Sequence, residues 1–156
     1  MIAVDTNILI RILVEDPGQT AQTQIAREVA IAAKRVYIPQ IVQVETVWVL
    51  ETAYKFDKAS ILKLLEHIQA NSAFILQNSD TFSEALDIFR KCKADFSDCL
   101  ILAESHKENM TLYTFDKRLG RQDGAELAMK KRVIGSLKGK IEIPDDFDEP
   151  LDDLKV

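Results

Sequence analysis

The stretch Met1-Ile2-Ala3-Val4-Asp5-Thr6-Asn7 decides the fold, because it contains the end of an apolar run and the start of a helix. Residues 2–4 are apolar but too few for a helix, which suits a buried strand. Residues 8–14 are strongly apolar and predict a helix. Asp5 therefore lies where a strand ends and a helix begins, and ligands bind at the carboxyl ends of strands in an open α/β sheet. The stretch alone leaves a second interpretation open, in which Asp5 or Thr6 only caps the helix.

The composition is that of one ordinary globular domain. The chain has 156 residues, enough for one core and too few for two comfortable domains. Apolar residues make up 47% and charged residues 29%, a usual balance for such a domain. The formal net charge of −5 argues against a broad basic surface for duplex DNA, but it is compatible with an acidic metal site inside a basic rim.

The cellular compartment follows from what the sequence lacks. The N-terminus has no basic region with a long apolar stretch, as a signal peptide would, and no apolar run could span a bilayer. We therefore expect a cytoplasmic protein with no membrane partner. Cys92 and Cys99 match no metal-binding spacing and are predicted to be free thiols in a reducing compartment. His67 and His106 fall on predicted amphipathic helices and are expected at the surface, which leaves no His/Cys set for zinc.

Strands and helices alternate along the sequence, which predicts an α/β fold with a mostly parallel central sheet flanked by helices (α/β/α). Segment 40–54 is ambiguous because its β-branched residues favour a strand, but its length without a turn residue favours a helix that has Pro39 in its first turn. Ser79 or Asp80 is expected to cap the helix that follows the third strand. The predicted strands are 2–4, 36–38, 73–76, 112–115 and 133–134, and the predicted helices are 8–14, 19–34, 40–54, 58–70, 81–92 and 99–109.

Four acids occupy positions where a parallel sheet can bring them together. Asp5 and Asp116 follow apolar strands, Asp98 lies in the first turn of a helix, and Glu45 lies within an apolar helix where an unpaired carboxylate is costly. The first three can converge at one sheet edge, and Glu45 can join them if its helix packs along that edge. Two carboxylates about 4 Å apart repel by roughly 4 kcal/mol at an effective dielectric near 20, so such a cluster needs a cation. Oxygen ligands suit Mg²⁺ or Mn²⁺.

A divalent cation held by carboxylates indicates phosphoryl-transfer chemistry, in which the metal activates water and stabilises the leaving oxygen. The sequence contains no P-loop, no GxGxxG and no Ser or Cys nucleophile motif that would indicate another chemistry. Once a metal site is assigned to this edge, the two roles in the opening stretch separate. Thr6 is then predicted to cap the first helix, and Asp5 is left for the metal.

Each acid also has a purely structural interpretation. Asp95 and Asp98 have the spacing of a capping box, in which Asp95 is predicted to be the N-cap and Asp98 is free to face the site. Asp116 could start a turn, and Glu45 could pair with a nearby base. These interpretations are plausible one by one, but it is harder to accept that all four acids meet at one edge for structural reasons alone.

The four acids lie in four motifs, which are Val4-Asp5-Thr6-Asn7 followed by Arg11, Gln43-Val44-Glu45-Thr46-Val47-Trp48-Val49-Leu50, Ala94-Asp95-Phe96-Ser97-Asp98-Cys99-Leu100-Ile101, and Tyr113-Thr114-Phe115-Asp116-Lys117. These motifs resemble the PIN-domain family, in particular the VapC-type ribonuclease toxins of bacterial and archaeal toxin–antitoxin pairs. They occur in the family's order, and the resemblance spans residues 2 to about 135.

The resemblance implies a Mg²⁺- or Mn²⁺-dependent endoribonuclease, in which a metal-activated water hydrolyses RNA phosphodiesters. It implies a homodimer and a cognate antitoxin whose C-terminal segment covers the active site. It makes residues 1–140 a PIN-like nuclease domain, followed by an acidic tail over 141–156 that is expected to be extended or disordered. The implied catalytic and metal-binding acids are Asp5, Glu45, Asp98 and Asp116, with Asn7, Thr114 and Asp95 in support.

Basic residues close to the site acids in sequence are candidates for RNA phosphate contact. An equally simple interpretation is solubilising surface charge, which is also the interpretation for residues 130–132. The candidates are Arg11, Lys117, Arg118 and Arg121.

Two other functions compete with the ribonuclease. A haloacid-dehalogenase-like phosphatase would use Asp5 as a nucleophile, but that fold needs a second Asp two residues later, where this chain has Asn7. A non-catalytic PIN-like scaffold for RNA or protein is the other alternative, although the presence of all four acids speaks against it.

Overall fold

The computed structural model describes residues 1–128. The predicted strand 133–134, the basic residues 130–132, the acidic tail and the domain boundary at residue 140 lie outside the described residues. Two short 3₁₀ turns, at Pro17–Gln19 and Leu119–Arg121, accompany the regular elements. In chain order these are β1 (Ile2–Ala3), α1 (Thr6–Leu13), α2 (Thr20–Ala33), β2 (Val36–Ile38), α3 (Gln40–Thr52), α4 (Lys58–Ala70), β3 (Phe74–Leu76), α5 (Ser79–Lys91), α6 (Phe96–Lys107), β4 (Leu112–Thr114) and β5 (Ala125–Leu127).

The described strands are all parallel, as predicted, but they form two sheets. β1, β2 and β3 pair in that order, with Ile2 opposite Val36 and Val36 opposite Phe74. β4 pairs with β5, which the sequence did not indicate. β5 has three residues with a charge at its centre, too few for a recognisable alternation. The α/β class is therefore confirmed, and the described strands lie in a three-stranded sheet and a two-stranded one.

A single apolar core joins the helices to the sheet. Phe96 of α6 packs edge to face against Phe82 and Phe89 of α5, with ring centroids 5.6 Å apart in both pairs. Edge-to-face aromatic pairs contribute about 0.5–1.5 kcal/mol beyond the area that they bury. This packing holds the start of α6, and therefore Asp98, in a fixed position relative to α5.

Residues 40–52 form the helix α3, so the prediction of a helix from the length of this segment is confirmed despite its β-branched residues. Its N-cap is Pro39, one residue before the first turn in which we expected it. Val42, Val47 and Leu50 are buried, whereas Glu45 is exposed. The cost predicted for an unpaired carboxylate in this helix does not arise, because Glu45 is exposed and its carboxylate accepts a hydrogen bond from Thr6.

The predicted cap of α5 is also wrong. α5 begins at Ser79, and Asn78 occupies the N-cap position with a left-handed φ of +54°. Asn adopts this conformation more readily than most residues. The Asn78 side-chain amide donates a hydrogen bond to Gln40 Oε1 at 2.5 Å, and it does not cap the helix.

No helix within residues 1–128 is long and apolar enough to cross a bilayer.

Candidate active site

Asp5, not Thr6, caps helix α1. Its backbone is extended, with φ −85° and ψ 176°, and its Oδ1 accepts the Ile8 N–H at 2.9 Å. Thr6 already belongs to the helix and is buried, so it has no free side-chain geometry for a cap. The predicted division of roles is wrong, because one carboxylate oxygen of Asp5 caps the helix while the other stays available to a ligand.

Thr6 connects the first strand–helix junction to Glu45. The Thr6 hydroxyl donates a hydrogen bond to Glu45 Oε2 at 2.5 Å. A hydroxyl donor to an ionised acceptor makes a short, charge-assisted bond. This contact between α1 and α3 brings the Glu45 carboxylate beside the junction that carries Asp5.

The four predicted acids form two groups, which we call the two halves of the acidic region. Asp5 and Glu45 are the first half, and Asp98 and Asp116 are the second. The pKa of Asp98 is raised, first by burial and then by the negative charges of Asp95 and Asp116, while the Asp95 backbone N–H lowers it. The pKa of Asp116 is lowered, because its carboxylate accepts the backbone N–H groups of Leu119 and Arg118. Asp98 and Asp116 therefore share one negative environment.

Thr114 and Asp95 lie against this second half. Thr114 Oγ1 accepts the backbone N–H of Asp116 at 3.0 Å, which fixes the backbone just after β4. Asp95 is at the N-cap position of α6, as predicted, but its side chain does not cap the helix. Asp95 therefore acts on Asp98 through its charge.

A cavity connects the two halves. It has a volume of about 430 Å³, lies between α3 and the start of α6, and is lined by both Glu45 and Asp95. Trp48 and Glu51 of α3 line it too, and neither was singled out from the sequence. Glu51 has a raised pKa, because of burial and then the charge of Asp95, while Lys58 lowers it. Residues six apart do not share a face of a helix, so no sequence signal placed Glu51 beside Glu45, and its burial depends on how α3 packs.

The acids approach one another without closing on one point. In the part of the chain that the structure describes, no three Asp, Glu, His or Cys side chains are placed to hold a single metal ion. Asp5 lies next to the Thr6–Glu45 contact, and Asp98 lies with Asp95 and Asp116. A cation bound by all four predicted acids therefore requires side-chain rotations.

Asn7 and Arg11 lie on the other side of Asp5. With Asp5 they line a cavity of about 540 Å³ between α1 and α2. Arg11 Nη1 donates to Tyr54 Oη at 2.6 Å and to Asp16 Oδ2 at 3.1 Å. The guanidinium of Arg11, a predicted RNA contact, therefore already makes hydrogen bonds that hold α1 against the segment after α3.

The predicted histidines and cysteines have structural environments. His67 is exposed as expected, but His106 is partly buried, and its Nδ1 lies 2.5 Å from Glu84 Oε1. The surface expectation for His106 is therefore wrong, because this residue joins α6 to α5. Cys92 and Cys99 are free thiols, as predicted, and both are buried with their sulfurs 3.5 Å apart.

Comparison with known proteins decides the family. A sequence model of the PIN domain matches residues 2–125. The chain belongs to the PIN-domain family. The resemblance drawn from the four motifs is confirmed by this match. This PIN domain is also similar to a VapC ribonuclease of Aquifex aeolicus (strain VF5), with 27% identity over 106 residues that make up 67% of this chain and 78% of that protein. No solved structure matches the chain.

The donor chemistry of this PIN domain fits a hard divalent cation. The side chains that border the acidic region offer carboxylate oxygens, which Mg²⁺ and Mn²⁺ prefer. The pKa of Asp98 is raised first by burial and then by repulsion from the charges of Asp95 and Asp116, both of which disfavour its ionised form. A cation placed among these carboxylates would remove that repulsion.

Proposed function

We propose that this PIN domain is a divalent-metal-dependent endoribonuclease and the toxin of a type II toxin–antitoxin pair. The observation that carries the proposal is that, in a matched PIN domain, Glu45 lies beside the junction that carries Asp5 and Asp98 lies with Asp116. The similarity to a VapC ribonuclease supports RNA as the substrate. Because such acids need a cation to lie together, the activity depends on Mg²⁺ or Mn²⁺.

Asp5, Glu45, Asp98 and Asp116 would hold the metal. A bound divalent cation supplies Lewis-acid activation of water and neutralises charge on the leaving oxygen. Other side chains position these acids through hydrogen bonds. Thr6 orients Glu45 through its hydroxyl.

The backbone around Asp116 is held on both sides. Thr114 accepts the Asp116 N–H, and the carboxylate of Asp116 accepts N–H groups from the following turn. Asp116 is therefore pre-positioned, and one of its oxygens is already engaged. Asn7 would support the site from the cavity that it lines together with Asp5.

The proposed partners follow from the same similarity. Lys117, Arg118 and Arg121 are exposed and sit directly after Asp116, so they can contact RNA phosphates. A cognate antitoxin would cover the acidic region and silence it. We also propose that the protein is a homodimer that works in the cytoplasm.

A non-catalytic PIN scaffold is the second candidate. The specific observation that favours it is the absence, within residues 1–128, of three acids poised around a single metal position. Family membership argues against the haloacid-dehalogenase alternative, because that phosphatase belongs to another fold.

An RNA cleavage assay separates the two candidates. Purified protein with Mg²⁺ or Mn²⁺ should cut RNA, and EDTA should stop the cutting. Asp5→Asn and Asp98→Asn should lose at least about 100-fold in rate, an estimate based on the contribution of a lost electrostatic group at a reacting centre. Asp80→Asn, an exposed acid in α5, is the matched control and should cut normally. If both site variants cut RNA as fast as the wild type, the proposed active site is wrong.

A further inference from the structure

We propose that Phe115 is a stacking platform for an unpaired RNA base next to the site acids. The inference rests on the proposed function, because it assumes an RNA substrate. It adds a specificity-determining residue that favours single-stranded over duplex RNA.

Phe115 is the most exposed of the large apolar side chains within residues 1–128. Its exposed fraction is 86%, compared with 77% for Ile31 and 62% for Trp48. A single exposed apolar residue is common in proteins and requires no explanation. What distinguishes Phe115 is its place in the chain.

The backbone that carries Phe115 is fixed on both sides. Before it, the Thr114 carbonyl accepts the Ala128 N–H at 2.7 Å, and the Thr114 hydroxyl accepts the Asp116 N–H at 3.0 Å. After it, the Asp116 carbonyl accepts the Gly120 N–H at 2.9 Å. The ring therefore projects into solvent from a rigid turn and lies one residue before a proposed metal ligand. Because this backbone is already fixed, only the side-chain torsions of Phe115 lose freedom when a ligand stacks on the ring.

The charges around Phe115 suit a phosphate backbone. Lys117, Arg118 and Arg121 follow it in the chain and are exposed. The backbone of Lys93, another exposed basic residue, lies close to them, because Arg118 Nη1 donates to the Lys93 carbonyl at 3.5 Å. An aromatic face beside a cluster of cations is the usual arrangement for binding single-stranded nucleic acid.

Trp48 is an exposed aromatic ring with the opposite surroundings. Trp48 lines the cavity between α3 and α6 together with Glu45, Glu51 and Asp95. Those carboxylates repel phosphate, whereas Phe115 is followed by Asp116 and then by Lys117 and Arg118, which attract phosphate. Phe115 is therefore the ring that fits a nucleotide. A paired base in a duplex has both faces covered by its neighbours, so stacking on Phe115 selects unpaired nucleotides.

Binding of labelled RNA in EDTA, where cutting is prevented, tests the proposal. Phe115→Ala should weaken the binding of a single-stranded oligonucleotide by roughly 5- to 150-fold, the range for loss of one stacked base. Phe115→Leu should weaken it almost as much, because it keeps an apolar side chain but loses the aromatic face. Phe115→Tyr should stay within about twofold of the wild type, because it keeps that face.

Two comparisons make the result specific. Ile31→Ala removes an equally exposed apolar side chain on α2 and should leave RNA binding unchanged. Binding of a blunt RNA duplex should change little in any Phe115 variant. In the cleavage assay with Mg²⁺, Phe115→Ala should raise KM more than it lowers kcat.

The outcomes test the stacking role of Phe115 and the proposed nuclease activity separately. If Phe115→Leu binds single strands like the wild type, or if duplex binding falls equally, the stacking role is wrong while the nuclease stands. If Phe115→Ala leaves RNA binding intact but alters self-association, Phe115 belongs to a protein interface and the inference is overturned. If the Phe115 effect appears in a protein that never cuts RNA, the stacking role stands and the nuclease fails. If the wild type neither binds RNA in EDTA nor cuts it with Mg²⁺, both proposals fail.

Discussion

The position of the Glu45 carboxylate depends on its hydrogen bond with the Thr6 hydroxyl. Glu45 is exposed on α3, so without a partner its carboxylate would sample many rotamers. The bond from Thr6 Oγ1 to Glu45 Oε2 restricts that sampling and aims the carboxylate toward the start of α1. Thr6 is thus a positioning residue for a proposed metal ligand.

Thr6→Val removes the hydroxyl and keeps the branched shape. A hydrogen bond to a charged group contributes about 1.5 kcal/mol or more, so we expect kcat/KM for RNA cleavage to fall about tenfold. Thr6→Ser keeps the hydroxyl and should stay close to the wild type. Metal affinity, measured alongside, should fall in Thr6→Val only. Equal activity in both variants would show that Thr6 does not position Glu45.

The sequence did not reveal which of Asp5 and Thr6 caps α1. Both residues are good N-caps, and the sequence alone cannot say which of two adjacent residues has the extended backbone. The assignment to Thr6 assumed that a metal ligand cannot also cap a helix. A carboxylate has two oxygens, and Asp5 uses one of them for the cap.

Gly124 is a position at which an added side chain should destabilise the fold. Its φ is +75°, and an added Cβ would lie 2.1 Å from His106 Nε2. Gly124→Ala should therefore lower the unfolding free energy by about 1–3 kcal/mol in urea titrations. Gly18→Ala, where the nearest atom would be Asp16 Oδ1 at 3.3 Å, is the control and should cost less. Equal stability of the two variants would contradict this packing.

The contact between His106 and Glu84 joins α6 to α5 and depends on pH. The hydrogen bond that His106 donates to the Glu84 carboxylate raises the pKa of His106, and so does its hydrogen bond to the Asp123 carbonyl. A raised pKa in the folded state means that the imidazolium stabilises the fold below the unfolded pKa of about 6.5. This stabilisation is lost as the pH rises through the higher folded pKa.

Glu84→Gln isolates this contribution. The loss of unfolding free energy relative to wild type should be largest near pH 6, at about 1 kcal/mol or less, and should fade toward pH 9. Glu66→Gln breaks the exposed pair with Arg90 and is the control. Arg90 stays charged over this range, so the Glu66→Gln difference should not change with pH. A pH-independent Glu84→Gln difference would show that His106 titration is not linked to folding.

The type and order of the elements could be predicted because length and apolar spacing were clear. Residues 40–54 had the composition of a strand and the length of a helix, and the helix α3 formed. Boundaries were harder. α5 starts two residues before the predicted position because Asn78 adopts a left-handed turn. β5 was not foreseen, since its three residues form a strand only through pairing with β4.

The acidic site is spread over four elements far apart in sequence. Family motifs named the four acids, and the fold brings Glu45 to Thr6 and Asp98 to Asp116. What the sequence could not give is the set of supporting contacts, because these depend on how α3 and α6 pack. Glu51 is an example, since its environment includes Asp95, which lies far along the chain.

Mn²⁺ binding, measured by titration calorimetry together with the melting temperature, tests the central claim most directly. We expect the wild type to bind Mn²⁺ and to melt at a higher temperature with it, because a ligand of the folded state stabilises that state. Asp98→Asn should bind Mn²⁺ about 10- to 100-fold more weakly, whereas Asp80→Asn should bind it like the wild type. If the wild type does not bind Mn²⁺, or if Asp98→Asn binds it equally well, the acids do not form a metal site.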